Sequence, residues 1–372
     1  MRNRAPNTHI LETFWLLLVL VSGCASGPVL NFTAEEVNAY APFAPPREIR
    51  VLSINVWSGL TYEGTFNIGR HRDDAGKRYE CLVNEIRNLA PDIIAIQEAN
   101  PLPAYVERLA KDLDYRAIYR VSLGGIRFGP VGIPTNLREG DAILVKKGWT
   151  LVDLGRKCLS GGGIATNWFC FHFGEIRQAL LGRAVVNGKL LYIYNVHLRS
   201  GPFRGPELDD TEEALSRELT QAKMEEAIRG AAKDIERRRR EIVNLKQFIE
   251  ETLPLGMPAI ILGDFNTTVE SDELEPLLAG GRWIDTFRFK NPSDPGATWD
   301  HVRNPNFRES KGASQPYNLL RAKHECHSCR IDFIFVSSNI PGENVLESRV
   351  VLTPSGGCAA SDHYGVLTTL KW

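Results

Sequence analysis

The sequence predicts an α/β fold, and three observations carry that prediction. From Ile49 to the C-terminus, short apolar runs of strand length alternate with segments of helical spacing in one continuous pattern. Polar side chains recur where those runs end: Asn55, Glu98, His197, Asp264, Asn266, Asp332, Asp362 and His363. The chain of 372 residues is 43% hydrophobic and 24% charged, ordinary proportions for a folded domain, with no internal repeat or low-complexity block. A formal net charge of −1 excludes a globally basic chain, so any anionic substrate must be attracted locally.

The N-terminus reads as a targeting segment and is set apart from the fold. Arg2 and Arg4 precede the apolar run Phe14–Val21, then Ser22-Gly23-Cys24. That run is too short to span a bilayer, which takes roughly 20 apolar residues. Small residues directly before a cysteine look like a bacterial lipobox, which implies a signal peptide over 1–23 and lipid on Cys24. The protein would then be exported and membrane-anchored, facing the periplasm or the cell exterior. Several acyl chains anchor stably, because each buried methylene contributes about 0.8 kcal/mol. A plain secretory signal with an incidental cysteine is the other reading. Residues 24–46, rich in Ala, Pro and Gly, read as the lipidated tether. Of seven cysteines, the six besides Cys24 form an even set, which suits an oxidising compartment. Ser160-Gly161-Gly162-Gly163 would let the chain reverse and pair Cys158 with Cys170.

The elements follow in order. Ile49–Val56 is a buried strand ending in polar residues. Tyr79–Leu89 is a helix with Cys81, Leu82, Val83, Ile86 and Leu89 on one face, stopped by Pro91. Asp92–Glu98, between Pro91 and Pro101, is a central strand. Strands continue at Ala142–Val145, Arg183–Val186 and Leu190–His197, and Asn187-Gly188 joins the last two as a hairpin turn. Residues 211–251 are highly charged, without proline. Ile228, Ile235, Ile242 and Ile249 recur at a seven-residue spacing, which predicts a long helix with one apolar stripe, interrupted near Gly230. Ala259–Asp264 is a strand, the stretch to about Arg330 is rich in loops, and Ile331–Val336 is another strand. A last strand follows Ser361-Asp362-His363. The unbroken alternation predicts one catalytic domain over 47–372.

If the strands share one sheet or two stacked sheets, the polar strand-end residues converge at one edge. Burying such groups without partners would cost several kcal/mol each. Carboxylates, amides and histidines together suit a hard cation such as Mg²⁺, which prefers oxygen ligands. They also suit phosphate-ester hydrolysis, which needs phosphoryl charge neutralised and a water positioned. Singly, each has a structural reading: Asn55 a turn cap, Glu98 a strand-end ion pair, Asp264 and Asn266 an Asx turn, Asp332 a partner for Arg330 alone.

Taken in order, Ser53-Ile54-Asn55-Val56-Trp57, Gln97-Glu98, Asn195-Val196-His197-Leu198, Gly263-Asp264-Phe265-Asn266, Arg330-Ile331-Asp332-Phe333-Ile334 and Ser361-Asp362-His363 resemble the endonuclease/exonuclease/phosphatase superfamily. Pancreatic-type deoxyribonucleases, abasic-site endonucleases, inositol polyphosphate 5-phosphatases and neutral sphingomyelinases share this series, which here covers nearly the whole chain beyond the tether. Any one motif is common by chance; six in order are specific. The resemblance implies a four-layer α/β sandwich, two mixed β-sheets packed face to face and flanked by helices. It implies Glu98 as the principal Mg²⁺ ligand (Mn²⁺ can substitute), with Asn55 at the metal or the phosphate and Asp362 supporting the metal side. Asp264 would orient or deprotonate the attacking water and Asn266 hold it. His363 would contact the phosphate with Asp332 fixing its tautomer, His197 would bind a phosphoryl oxygen or assist the leaving group, and Arg177 would bind phosphate.

The anchor favours a membrane substrate, and Asn55–Leu60 with Arg70, His71 and Arg72 is similar to the opening of neutral sphingomyelinases. A phospholipid or sphingomyelin-type diester is therefore the expected substrate of a monomeric enzyme. Extracellular or periplasmic nucleic acid is the rival, served by Arg199 and Arg204. A non-catalytic surface-binding module on the same scaffold is the third reading, opposed by the presence of both Glu98 and His363. Trp57, Phe66, Phe128, Trp168, Phe169 and Phe171 supply either apolar rims for a lipid or core. Cys326-His327-Ser328-Cys329 could bind zinc, but with no second ligand pair a disulfide is expected. Arg237–Arg240 reads as a solvated helix face or as a contact for anionic phosphates.

Overall fold

The computed structural model describes residues 48–58, 75–172, 175–306, 316–323, 328–354 and 358–372. Cys24, Phe66, Arg70, His71, Arg72 and Cys326 lie outside them, as do the signal and tether segments.

Two six-stranded sheets form the centre. The first holds β1 (Glu48–Asn55), β2 (Ile93–Ala99), β3 (Tyr115–Leu123), β6 (Glu139–Lys146), β17 (Val345–Val351) and β18 (Gly365–Lys371), in the order β17-β18-β1-β2-β6-β3. The second holds β7 (Thr150–Ser160), β10 (Arg177–Val186), β11 (Lys189–His197), β12 (Ala259–Asp264), β13 (Trp283–Asp285) and β16 (Asp332–Ser337), in the order β13-β16-β12-β11-β10-β7. Each sheet is mixed, because β1 and β2 are parallel in the first and β11 and β12 in the second, while the other pairs are antiparallel.

Side chains alternate between the two faces of a strand, and both faces of the central strands are covered. Val51, Ile93, Ala95 and Ile143 of the first sheet pack inward against Leu180, Ile193, Ile260 and Ile334 of the second. Outside the first sheet, Leu52, Ile54, Ile94 and Leu144 meet Leu82 and Ile86 of α1 (Ala75–Leu89) and Val106 and Leu109 of α2 (Ala104–Leu113). Outside the second, Tyr192, Tyr194, Ile261 and Phe335 meet Ile242, Leu245, Phe248 and Ile249 of the longest helix. The expected four layers are present. The hairpin at Asn187-Gly188 is also present: both residues have positive φ, 49° and 77°, as a tight turn between right-twisted strands requires.

The charged segment differs from expectation. It forms two helices, α3 (Pro206–Ser216) and α4 (Gln221–Thr252), and the break falls at Arg217–Thr220. Gly230 lies inside α4, where a Cβ would stand 2.3 Å from Cδ2 of Tyr317, so this glycine admits a crossing ring instead of ending the helix. The isoleucine stripe also drifts. Ile242 and Ile249 are buried but Ile228 is exposed, because a 3.6-residue turn rotates about 20° per heptad. Met224, Ala227 and Ala231 take over the packing face.

Two smaller sheets complete the chain: β14 (Trp299–Asp300) with β15 (Ser328–Cys329), and β4 (Ile126–Phe128), β5 (Val131–Ile133), β8 (Gly163–Ala165) and β9 (Phe169–His172) in the order β5-β4-β9-β8. The Cys158–Cys170 bridge does not form. Cys170 is a free, buried thiol beneath Gly124, while Cys158 and Cys329 are each disulfide-bonded. A Cys81–Cys358 disulfide joins α1 to the segment that leads into Ser361-Asp362-His363.

Candidate active site

The topology gathers the polar strand ends at one edge of both sheets. Asn55 pairs in register with Gln97 beside Glu98, and His197 pairs with Asp264, which pairs with Asp332. Beneath them, Gln97 Nε2 of the first sheet donates to Asn195 Oδ1 of the second at 2.7 Å. Asn195 Nδ2 returns bonds to the carbonyls of Ile96 (2.9 Å) and Ala142 (2.8 Å).

Asn55 is the hub. Its Nδ2 donates to Glu98 Oε1 and Asp264 Oδ2, both at 3.1 Å, and its Oδ1 accepts from Trp57 N at 2.9 Å. Glu98 has φ 58°, a strained backbone for a non-glycine residue, and its Oε2 accepts from Ser58 N at 3.2 Å. His197 Nε2 lies 3.9 Å from Glu98 Oε1 and 3.6 Å from Asp264 Oδ2. His363 donates from Nδ1 to Asp332 Oδ2 at 2.9 Å, which leaves Nε2 at 3.8 Å from Asp264 Oδ2. The Trp299 ring packs edgewise on His363, with centroids 4.8 Å apart. Asp332 is thus the partner of His363, and Arg330 forms a two-pronged ion pair with Asp285.

The loop geometry is built by local bonds. Asn266 adopts φ 51°, its backbone N–H donates to Asp264 Oδ1 at 2.9 Å, and its Nδ2 donates to the Leu198 carbonyl at 2.9 Å. Ser361 Oγ donates to the Asn55 carbonyl at 2.6 Å and ties the Ser361-Asp362-His363 turn to β1. Arg177, at the start of β10, is buried and paired with Glu175.

These groups perturb one another. Burial raises the Asp264 carboxyl, and Asp332 raises it further against His363, Asn55 and Asn266. Burial alone would lower His363, but Asp332 and Asp264 outweigh it and hold the ring as a cation well above its usual range. His197 is held neutral by burial, with Arg177 and His363 adding to the effect. Burial raises Asp362 to about 6, with Glu98 adding to it.

A divalent cation fits this chemistry. Asp264, Asp332 and His363 each offer a ligand atom, and the three lie within 4.8 Å of one another. Glu98 and Asn55 adjoin them, and Asp332 Oδ1 is buried with no hydrogen-bond partner among the described residues. Crowded acids, with Asp264 and Asp362 raised by burial and by the carboxylates beside them, are what an oxygen-loving ion would relieve.

The sequence missed two carboxylates at this edge. Glu139 and Asp141 open β6, whose amino end lies beside the carboxyl end of β2, since Ala99 pairs antiparallel with Gly140. Burial raises Glu139 well above its usual range, with Glu98 adding to it, and burial raises Asp141 to about 7. Attention to carboxyl ends alone passes over such residues; two acids directly before the apolar run Ala142–Val145 were the available signal.

A model described as the Endonuclease/Exonuclease/phosphatase family matches residues 52–363. No curated protein matches the sequence. Among solved structures, truncated TDP2 from Caenorhabditis elegans is similar at TM-score 0.54 and 16% identity, over 87% of this chain and 98% of that one. TDP2 from D. rerio complexed with single strand DNA product is similar at TM-score 0.54 and 18% identity, over 87% and 98%. An endonuclease/exonuclease/phosphatase from Bacteroides vulgatus is similar at TM-score 0.53 and 17% identity, over 87% and 98%. At such identities the structures speak for the shared fold alone.

Proposed function

The chain belongs to the endonuclease/exonuclease/phosphatase family of phosphoric ester hydrolases, and from that premise we propose that it hydrolyses a phosphodiester with Mg²⁺ as its ion. The observation that carries the reading is the convergence of Asn55, Glu98, His197, Asp264 and the His363–Asp332 pair on one space at the sheet edge. Glu98 would hold the ion with Asn55 and Asp362, leaving His363 and Asp332 committed to each other. The ion, when bound, supplies charge to the non-bridging phosphoryl oxygens.

The remaining work falls to the chain. Asp264, raised toward neutrality by burial and Asp332, takes a proton from the attacking water. Asn266 orients that water, with its own amide fixed on Leu198. The water oxygen bonds to phosphorus as the ester P–O bond breaks. Cationic His363, kept in one orientation by Asp332, faces the growing negative charge on the phosphoryl group. Neutral His197 donates from Nε2 toward a phosphoryl or leaving oxygen, and Arg177 supplies positive charge from beneath.

The substrate we propose is a phospholipid diester of the sphingomyelin type, met at a membrane to which lipid on Cys24 holds an exported, monomeric enzyme. The second reading, an extracellular or periplasmic nuclease, is favoured by the single strand DNA product named for the D. rerio structure. The test offers sphingomyelin vesicles, plasmid DNA and a small soluble diester to the full chain, with Mg²⁺ or with EDTA. Ion-dependent cleavage of the lipid supports the reading. Cleavage of DNA with the lipid untouched replaces the substrate, and equal rates in EDTA sink the metal assignment.

A further inference from the structure

The four-stranded sheet β5-β4-β9-β8 has its polarity reversed. On its inner face Arg127 donates to the carbonyls of Pro130, Pro134, Thr135 and Leu137, and His172 Nε2 accepts from Gly124 N at 2.9 Å. The outer face is apolar: the register places Ile133, Ile126, Phe171 and Ile164 in one row across the four strands. At the β4–β5 turn, Phe128 is 61% exposed and Val131 74%, and Trp168, its ring centroid 4.0 Å from that of Phe128, is 59% exposed. Strands normally turn such residues to the core and their polar residues to water. A contiguous exposed apolar face marks a contact surface.

Its position says what it contacts. Leu123, which ends β3, pairs with Glu139, and Ser160, which ends β7, pairs with Arg177. Both inserts that build the small sheet therefore leave from the active-site edge of the two large sheets. Both aliphatic and aromatic groups face outward, and Arg127 faces inward, so the face offers an apolar phase more than it offers cations to a phosphate backbone. The tether adds an argument. β1 enters the domain at Glu48, at the end opposite Asn55. Residues 24–47 can extend about 80 Å, so an anchor at Cys24 keeps the domain near a bilayer without turning its active edge toward it.

We propose that this face is a bilayer-docking surface, with Phe128, Val131 and Trp168 entering the lipid headgroup boundary and setting the active edge against the membrane. The proposal rests on the phospholipid reading given above and supplies its substrate-access step. Aromatic and aliphatic tips of this kind partition into the boundary through their buried apolar area.

The test compares the full chain with the Phe128→Ser/Val131→Ser variant on sphingomyelin–phosphatidylcholine vesicles and on a soluble diester. A parallel arm measures tryptophan quenching by brominated phosphatidylcholine vesicles in wild type and Trp168→Phe. We expect the vesicle rate to fall on the order of tenfold, with the soluble rate and the melting temperature unchanged and Phe128→Leu restoring most of the loss. Quenching should drop in Trp168→Phe. Unchanged vesicle rates with unchanged quenching overturn the proposal. So does a variant that loses single-stranded DNA cleavage alone, which would make the face a stacking platform for bases. If wild type leaves vesicle lipid intact yet cleaves the soluble diester, the phospholipid reading fails, and the quenching arm still decides docking.

Discussion

Two assemblies of buried charge sit close together in this protein and are built on opposite terms. Arg238 and Glu273 are wholly buried and saturate each other. Arg238 Nε reaches Glu273 Oε2 at 2.5 Å, and Nη2 reaches Oε1 at 3.0 Å. Two further guanidinium protons go to the carbonyls of Arg199 (3.0 Å) and Pro202 (2.9 Å), and Ser271 Oγ donates to Glu273 Oε1 at 3.1 Å. In the other assembly, Asp264, Asp332, Asp362 and Glu98 crowd around two histidines, burial and the neighbouring acids raise Asp264 and Asp362, and Asp332 Oδ1 has no hydrogen-bond partner among the described residues. Saturation marks a structural strut, here one that fixes the loop after His197. Incompleteness marks a site that waits for an ion and a substrate.

Replacement of single residues separates the two kinds. Asp264→Asn should lower the hydrolytic rate by on the order of 10²–10⁴-fold, while its melting temperature holds or rises because a crowded charge is gone. A near-normal rate would remove Asp264 from the water-activating role. Arg238→Met should do the reverse, costing about 3–5 kcal/mol in chemical denaturation by stranding a buried carboxylate, and Arg238→Met/Glu273→Leu should recover much of the loss. If Arg238→Met melts like wild type, the strut is not one.

Ion binding tests the incompleteness directly. Mg²⁺ at about a hundred times its dissociation constant should stabilise the folded chain by roughly 2–3 kcal/mol, and Glu98→Ala should abolish that shift. Retention of the shift in Glu98→Ala would move the ion to Asp264, Asp332 and His363. The smallest effect concerns Asp141, whose folded pKa is about 7 against roughly 3.9 in the unfolded chain. A raised carboxyl costs nothing below its unfolded pKa. Its penalty grows as pH climbs through that window and is complete above the folded value. Asp141→Asn should therefore gain on the order of 1–3 kcal/mol at pH 8 and nothing at pH 4, read from denaturant midpoints at the two pH values. An equal gain at both would assign the effect to packing.

The central strands were legible because burial on both faces makes them near-continuous apolar runs. The site residues were legible as polar breaks at the ends of those runs. Edge strands were harder. In β3, Arg116 and Arg120 interrupt the run, and β7 is half-buried almost throughout. The strands of the small sheet are three or four residues long, too short for periodicity to register. The aromatic residues Phe128, Trp168 and Phe171 could be read as rim or core, and nothing local distinguishes the two. Arg238 was the least legible, because its partner lies 35 residues away and its neighbours Arg237, Arg239 and Arg240 do face solvent. In that run, the strut and the solvated face are adjacent letters.

The amide pair Gln97–Asn195 has a consequence for tolerance. Sheets that meet through hydrocarbon alone can slide by fractions of an ångström as their side chains change. Here a polar bolt passes through the oily layer: Asn195 of the second sheet holds Gln97 and the main-chain carbonyls of Ile96 and Ala142 on the first, and no substitution removes those two carbonyls. The gap between Glu98 on one sheet and His197 and Asp264 on the other is gauged at that bolt, within a residue or two of the chemistry. The far ends of the sheets are thereby free to drift in sequence and packing without detuning the distance across which a phosphate must fit.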